Sequence, residues 1–311
     1  MMSQQAKAPT LDMQGKTVLI TGANSGVGFA MAEALAVRGA KIVMVCRDAV
    51  RGEAAWEKLM RASTCSVPVL LLADLSSQRQ IRALSQDLHA RFEHLDVLIN
   101  NAGGIFSRHS LTEDGIERSF AVNHLAPFLL TKLLLDLVLA APAGRVVNVT
   151  SEIHAGSIDF DNLQGERSYG FMAAYKRNKL ANILFTYELA HRLADGRITV
   201  NCFSPGPTRT RFGDDMTGLP RLFPLLFKRV PFLFKSPEQG AETGVYLTAS
   251  PAVAGISGRY FFRNRDERTK PVSYDIAAAK RLWDVSEQLV SGARDADRGY
   301  ASAGVLSPSA I

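Results

Sequence analysis

Residues 17–28 read TVLITGANSGVG: a β-branched apolar run from Thr17 to Thr21, then glycines at 22, 26 and 28. A short apolar run that breaks into a glycine cluster has the pattern of a buried strand ending in a tight turn. Helix-forming residues follow from Gly26 and stop at Gly39. Glycines at such a junction let the chain turn sharply and bring its amides against a pyrophosphate. The helix that follows offers unpaired N–H groups and the positive end of its dipole. Strand, glycine turn and helix in this order form the context a dinucleotide site needs. Gly22, Asn24, Ser25, Gly26, Val27 and Gly28 are its candidate phosphate-side contacts.

Outward from this unit the pattern repeats. Strands are expected at Lys41 to Cys46, Val67 to Ala73 and Asp96 to Ile99, with helices at Asp48 to Arg61 and Ser77 to Phe92. A long helix over Asp114 to Leu139, a strand at Arg145 to Thr150, a helix over Gly170 to Ala194 and a strand at Ile198 to Phe203 continue the alternation. A helix over Pro237 to Ala249 and a strand at Arg259 to Phe262 close it. Continuous apolar strands separated by amphipathic helices imply an α/β, doubly wound parallel sheet covered on both faces, with right-handed crossovers. One domain is expected over 15–290, with a lead at 1–14 and a loose tail at 291–311. The alternation fails between Pro205 and Lys235, where five prolines and many aromatics suggest an apolar substrate lid over about 207–235.

Composition narrows the function. Of 311 residues 47% are apolar and 21% charged, which excludes disordered and coiled-coil classes. Cys46, Cys65 and Cys202 are odd in number and far apart, so neither a disulfide framework nor a metal site is expected. The net charge of +6 suits an anionic ligand, but without an Arg/Lys stripe interleaved with aromatics no nucleic-acid partner is expected. The first twelve residues lack the apolar stretch of a signal peptide and no run of 18 apolar residues occurs, so the expected location is cytoplasmic. Leu219 to Phe234, LPRLFPLLFKRVPFLF, carries Arg221, Lys228 and Arg229 and can serve as a lid or dip into an anionic membrane surface.

The chemistry-bearing residues fall at strand ends and on one helix face. After the second strand, where an adenosine ribose would lie, stand Arg47 and Asp48. A guanidinium favours a 2′-phosphate, and hence NADP(H), whereas Asp48 would accept from a 2′-hydroxyl and leave NAD(H) as the alternative. Asp74 and Leu75, after the third strand, can reach an adenine ring, although Asp74 also suits a helix N-cap. Tyr175 and Lys179 are four apart on one helix and share a face. An ammonium beside a phenol favours phenolate and lowers the phenol pKa towards the working pH, which suits acid/base work on an alcohol. Ser151 follows the fifth strand, at the carboxyl edge where ligands bind, and its hydroxyl could hold a substrate oxygen or cap a turn. Asn123 interrupts an apolar helix, either to bond a backbone carbonyl or to hold a water near Lys179.

Together with Asn100-Asn101-Ala102-Gly103 and Pro205-Gly206, these motifs occur in an order that resembles the short-chain dehydrogenase/reductase family over about residues 15 to 290. The resemblance implies a Rossmann-type seven-stranded parallel sheet, a nicotinamide cofactor and hydride transfer at a carbonyl/alcohol carbon. It implies Tyr175 as acid/base, Lys179 as the group that lowers its pKa and binds the nicotinamide ribose, Ser151 as substrate-orienting and Asn123 as support for a proton relay. Asn101, Ala102 and Gly103 would line the cofactor, and Pro205, Gly206, Thr208 and Thr210 would surround its carboxamide. The stretches VCRD at 45–48, AVNHLAPFLLT at 121–131 and KLANILFTYELAHRL at 179–193 look most like the retinol dehydrogenase-like branch. That branch implies NADP(H) and an extra loop between Ser151 and Tyr175, in which His154 is expected to be structural or to support the site from behind; a bulky apolar carbonyl or alcohol is the partner that the Phe- and Leu-rich segment from Arg209 to Lys235 would fit. Asn178 and Pro127 stand where the branch usually has Ser and His. The family resemblance further implies either self-association through the helices after the fourth and fifth strands or, as in some members of the branch, a monomer or a membrane-associated form. A dinucleotide sensor without turnover, or a reductase of small polar carbonyls, is the competing reading.

Overall fold

The first strand lies at the centre of a sheet whose chain order reverses on either side of it. A computed structural model describes residues 12–154, 156–194, 196–208 and 234–291. Residues 1–11 of the expected lead, most of the expected lid with Thr210, and the tail beyond Ser291 lie outside these residues. Strands β1 (Thr17–Thr21), β2 (Lys41–Cys46), β3 (Val69–Leu72), β4 (Val97–Asn100), β5 (Gly144–Val149), β6 (Ile198–Phe203) and β7 (Arg259–Phe262) are all parallel. They run in the order β3-β2-β1-β4-β5-β6-β7, so Leu19 pairs with Val43 on one side and Leu98 on the other. The switch between β1 and β4 opens a crevice at the carboxyl ends of the strands, where ligands of such sheets bind.

Alternate strand residues feed two cores, as the period of a strand requires. Leu19, Val43 and Leu98 face α3 (Gln78–Arg91), α5 (Ala126–Leu139) and α6 (Phe171–Arg192). Val18, Ile20, Met44 and Ile99 face α1 (Gly26–Ala36), α2 (Ala49–Ala62) and the helix after β6, α7 (Pro237–Ala249). Phe120, Phe128 and Phe203 are fully buried and each contributes about 1.5–3 kcal/mol by leaving water. Pro at the first position of α7 and a capping box between Ser236 and Gln239 fix its start at the expected residue.

Two expectations are corrected. The seven parallel strands are joined by an eighth, β8 (Arg265–Asp266), antiparallel to β7. Arg263 and Asn264, at φ 50° and 61°, make the two-residue turn between them, the left-handed pair that a tight hairpin demands. The long helix expected from Asp114 starts only at Arg118, because the Glu117 carboxylate accepts from the amides of Ser119 (2.6 Å) and Phe120 (2.8 Å) and caps it there. This one-turn α4 (Arg118–Phe120) passes into a π-helical turn at Ala121–Leu125 before α5. By length and composition Arg118–Leu139 could cross a membrane, yet 67% of its apolar window is buried in the protein, as a core helix is.

The C-terminal helix α8 (Ile276–Ser291) lies against α6. Trp283 packs its ring 5.0 Å from Phe128 and 6.0 Å from Phe185, and Arg192 sits 4.2 Å from the indole. This part of α5 and α6 is therefore covered by the chain itself.

Candidate active site

At the glycine turn the backbone, more than the side chains, makes the site. Gly22 and Gly26 have φ of +66° and +56°, a region in which a Cβ is strained. Gly28 is helical, but a Cβ there would lie 2.4 Å from the Gly22 carbonyl oxygen and 2.4 Å from Asn101 Nδ2. No side chain caps α1: Ser25 makes no cap hydrogen bond, so the donors of the first turn are left for a ligand. A tight turn with glycine at 22, 26 and 28 that opens an uncapped helix fits a pyrophosphate, with Asn24, Ser25 and Val27 around it.

The turn is held from across the crevice. Thr21 Oγ1 accepts from the amides of Asn101 (2.9 Å) and Ala102 (3.0 Å), while Asn101 Nδ2 donates to the Thr21 carbonyl at 2.8 Å. Asn101 thus turns its amide into the protein and braces the turn, with the Ala102 Cα only 3.0 Å from where a Gly22 Cβ would stand. At the end of β2 Arg47 is exposed. Asp48 caps α2 by accepting from the Arg51 amide at 2.9 Å, and that hydrogen bond holds its carboxyl below the usual range. Asp74 is not the N-cap of α3: Ser77 is, and Asp74 instead accepts from the Ser76 amide at 2.9 Å beside the half-buried Leu75.

On the other side, Pro205 and Gly206 leave β6 with Gly206 at φ +75° and its amide on Ser204 Oγ at 3.1 Å. Thr208 Oγ1 donates to the Gly206 carbonyl at 3.1 Å. Gly240 of α7 fits between Thr208 and Val27, where a Cβ would stand 2.7 Å from Thr208 Oγ1. That close approach brings the 205–208 segment to the start of α1. Ser204 was not expected; its hydroxyl accepts from Glu152 and Gly206 amides and ties the loop after β5 to that after β6.

Tyr175, Ser151, Lys179 and Asn123 come together at the carboxyl end of β5. The Tyr175 and Ser151 hydroxyls are hydrogen-bonded, and Ser151 Oγ also accepts from the Ile153 amide at 3.1 Å. Lys179 is 4% exposed, donates to the Val149 carbonyl at 3.1 Å and stands 5.6 Å from the Tyr175 ring centre. Asn123 Oδ1 accepts from the Gly104 amide at 2.9 Å and Nδ2 returns a bond to the Gly104 carbonyl at 3.0 Å. Gly103 lies between this amide and the lysine: a Cβ on it would be 2.7 Å from Asn123 Oδ1 and 3.8 Å from Lys179 Nζ. Of the two uses expected for Asn123, the backbone bond is present, to the Gly104 and Ser119 carbonyls. His154 is buried, with Nδ1 3.3 Å from the Ser151 carbonyl and its own carbonyl on Lys270 Nζ at 2.8 Å.

The electrostatics correct one expectation. Burial pushes the Tyr175 phenol up to about 12, opposed only by the Ser151 hydrogen bond, and pushes Lys179 down to about 8. Removal from water sets the direction of both shifts. Near neutral pH the pair stands as phenol and ammonium, a state that can give a proton to a forming alkoxide. Ile105, Phe171 and Met172 pack around Tyr175 and make the described wall of the site apolar. Ile105 could have been found from its place just after the Asn100–Gly103 motif; Phe171 and Met172 precede the tyrosine by one helical turn.

A model of the short chain dehydrogenase family matches residues 16–217. The chain belongs to the short chain dehydrogenase family. Human retinol dehydrogenase 14 is 45% identical over 293 residues, covering 89% of this chain and 87% of its own. A solved protein from Mycobacterium paratuberculosis, described only as uncharacterized, aligns with a TM-score of 0.72 at 30% identity over 90% of this chain and 95% of its own. Another from Beutenbergia cavernae, described as an NAD(P)-dependent gluconate 5-dehydrogenase with bound NADP, aligns at a TM-score of 0.64 and 25% identity over 81% of this chain and 96% of its own. This member of the short chain dehydrogenase family is retinol dehydrogenase-like, an oxidoreductase that interconverts carbonyl and alcohol.

Proposed function

We propose that the chain is an NADP(H)-dependent reductase of bulky, apolar aldehydes or ketones, with Tyr175 as the acid. The observation that carries this reading is the buried group at the end of β5, where the Tyr175 phenol is bonded to Ser151, backed by Lys179 and walled by Ile105, Phe171 and Met172. A nicotinamide dinucleotide, held by the glycine turn and the 205–208 segment, would supply the hydride that the carbonyl carbon takes. The two hydroxyls hold the carbonyl oxygen and Tyr175 protonates it as negative charge develops, a contribution of about 10²–10⁴ in rate. Lys179 opposes the charge left on the phenolate and, with Gly103 beside it, lines the path to a ribose. Oxidation of the alcohol runs through the same groups in reverse.

For the cofactor, Asp48 is engaged in capping α2, and the exposed Arg47 guanidinium at the end of β2 would meet a 2′-phosphate, which favours NADP(H) over NAD(H). The relative from Beutenbergia cavernae, described with NADP, supports the same choice. Asp74 and Leu75 would border the adenine; Asn101, Ala102 and Gly103 the ribose; and Pro205, Gly206, Thr208 and Thr210 the carboxamide. The protein would act in the cytoplasm, with 219–234 touching a membrane surface. Initial rates of NADPH oxidation across carbonyls from compact ketones to retinal test the reading: rates rising with apolar bulk support it, and turnover confined to small polar carbonyls rejects the pocket.

A further inference from the structure

Between the π-helical turn that precedes α5 and the helices α6 and α8 runs a buried line of polar side chains that the chemistry above does not use. Asn182 Nδ2 donates to the Asn123 main-chain carbonyl at 2.8 Å. That fixes the orientation of the Asn182 amide and leaves its Oδ1 facing His124 Nδ1 at 3.2 Å. A carbonyl oxygen can only accept, so Nδ1 carries the proton of His124. Burial holds this imidazole neutral, down to about 4, so its Nε2 is an acceptor. Ser286 Oγ of α8 stands 3.0 Å from Nε2 and is the donor, in competition with its own bond to the Leu282 carbonyl at 2.7 Å. The line therefore has one sense: Ser286 to His124, His124 to Asn182, Asn182 to the carbonyl of Asn123. All four residues are at most 4% exposed.

Its end point is where it matters. Asn123 sits inside the π-helical turn Ala121–Leu125, and a π turn interrupts the regular ladder and leaves a carbonyl open to an outside donor. With Asn182 on that carbonyl, the side chain of Asn123 is presented to Gly104 and stands beside Lys179. We infer that Ser286, His124 and Asn182 are positioning residues: through them the C-terminal helix holds the π turn open and Asn123 in place. Asn178, one turn before Asn182, adds a second brace from the same face by donating to Ser119 Oγ at 3.0 Å.

The effect on rate rests on the reading of Asn123 as part of the active site; the effect on the π turn does not. The experiment uses the full chain, with Ser286→Ala, which removes the last donor without adding volume, and Asn182→Asp, which removes the donor to the carbonyl. Leu289→Ala, on the same helix but off the line, is the control that lowers melting temperature by packing alone. Amide hydrogen exchange is followed over residues 119–126. Exchange there is expected to quicken about fivefold in Ser286→Ala, the effect of one lost buried hydrogen bond, and more in Asn182→Asp, with little change in Leu289→Ala. Rates of NADPH oxidation should fall by about the same factor in Ser286→Ala, with KM for both substrates nearly unchanged. Exchange over 119–126 that is unaltered, or that rises equally in Leu289→Ala, overturns the inference whether or not the wild type turns over. A wild type that binds NADPH but reduces nothing would reject the functional reading and leave the exchange result to decide this one.

Discussion

The two ends of the crevice are built on different principles. At the glycine turn, Gly22, Gly26 and Gly28 form a surface of backbone, in which the side chains of Thr21 and Asn101 cross-brace β1 and β4 through main-chain groups. At the reacting end, four side chains from three elements meet, and burial, rather than main-chain geometry, sets what they can do. A shape made of glycine and amide is encoded within a dozen neighbouring residues. A proton-transfer site depends on everything that keeps water out, and so on residues far apart in sequence.

The contrast can be broken hardest at its reacting end. Tyr175→Phe keeps the packing around Ile105 and Met172 and removes the acid; the rate of carbonyl reduction should fall by at least about 10²-fold while NADPH binding, followed by fluorescence, is retained. At the phosphate end Gly28→Ala sets a Cβ 2.4 Å from the Gly22 carbonyl oxygen, and backbone cannot swing aside. It should cost about 1–3 kcal/mol in urea unfolding and lose NADPH binding with it, so binding and stability fall together there, whereas at Tyr175 the rate falls alone. Equal loss of binding in both variants would erase the distinction.

Finer tests follow from charge. Lys179 is held down to about 8 from its ordinary 10.5 by burial, so the folded state gives up a proton that the unfolded chain still binds between those values. Stability should therefore rise with pH across that window, and Lys179→Met should be more stable than wild type at pH 7 by about 1–3 kcal/mol, the gain vanishing above pH ~10. The same loss of charge should make the reduction rate fall as pH passes about 8 in the wild type. Thermal melts and pH–rate profiles of the two proteins check both. Arg47→Asp is the mildest test: it should shift the NADPH to NADH preference by about 10–100-fold through the charge-assisted bond to the 2′-phosphate, with little effect on the maximal rate. Sedimentation with anionic liposomes, with and without 219–234, tests the membrane contact.

The same contrast explains what could be read from sequence. The parallel strands appear at their expected places, and α7 begins where its proline and capping box put it. These are local signals. Tyr175, Lys179, Ser151 and Asn123 were legible as motifs, and they do converge. The start of the helix at Arg118 was not, because a glutamate cap looks like any surface acid until its carboxylate is seen buried under the Ser119 and Phe120 amides. The direction of the Tyr175 shift was missed for a related reason: the spacing of Tyr175 and Lys179 puts an ammonium near a phenol but says nothing of how dry the pocket is. The line from Ser286 to Asn123 joins residues 162 positions apart in one of its bonds. Its sequence trace is faint: Asn178, Asn182 and Thr186, polar residues a helical turn apart on a buried face.

The central claim, an acid/base tyrosine in an apolar pocket serving NADPH, is met most directly by one measurement: initial rates of NADPH oxidation with a long-chain aldehyde for wild type and Tyr175→Phe. The account predicts ready turnover by the wild type and a loss of at least about 10²-fold in the variant with NADPH binding intact. Equal rates in the two proteins would contradict it.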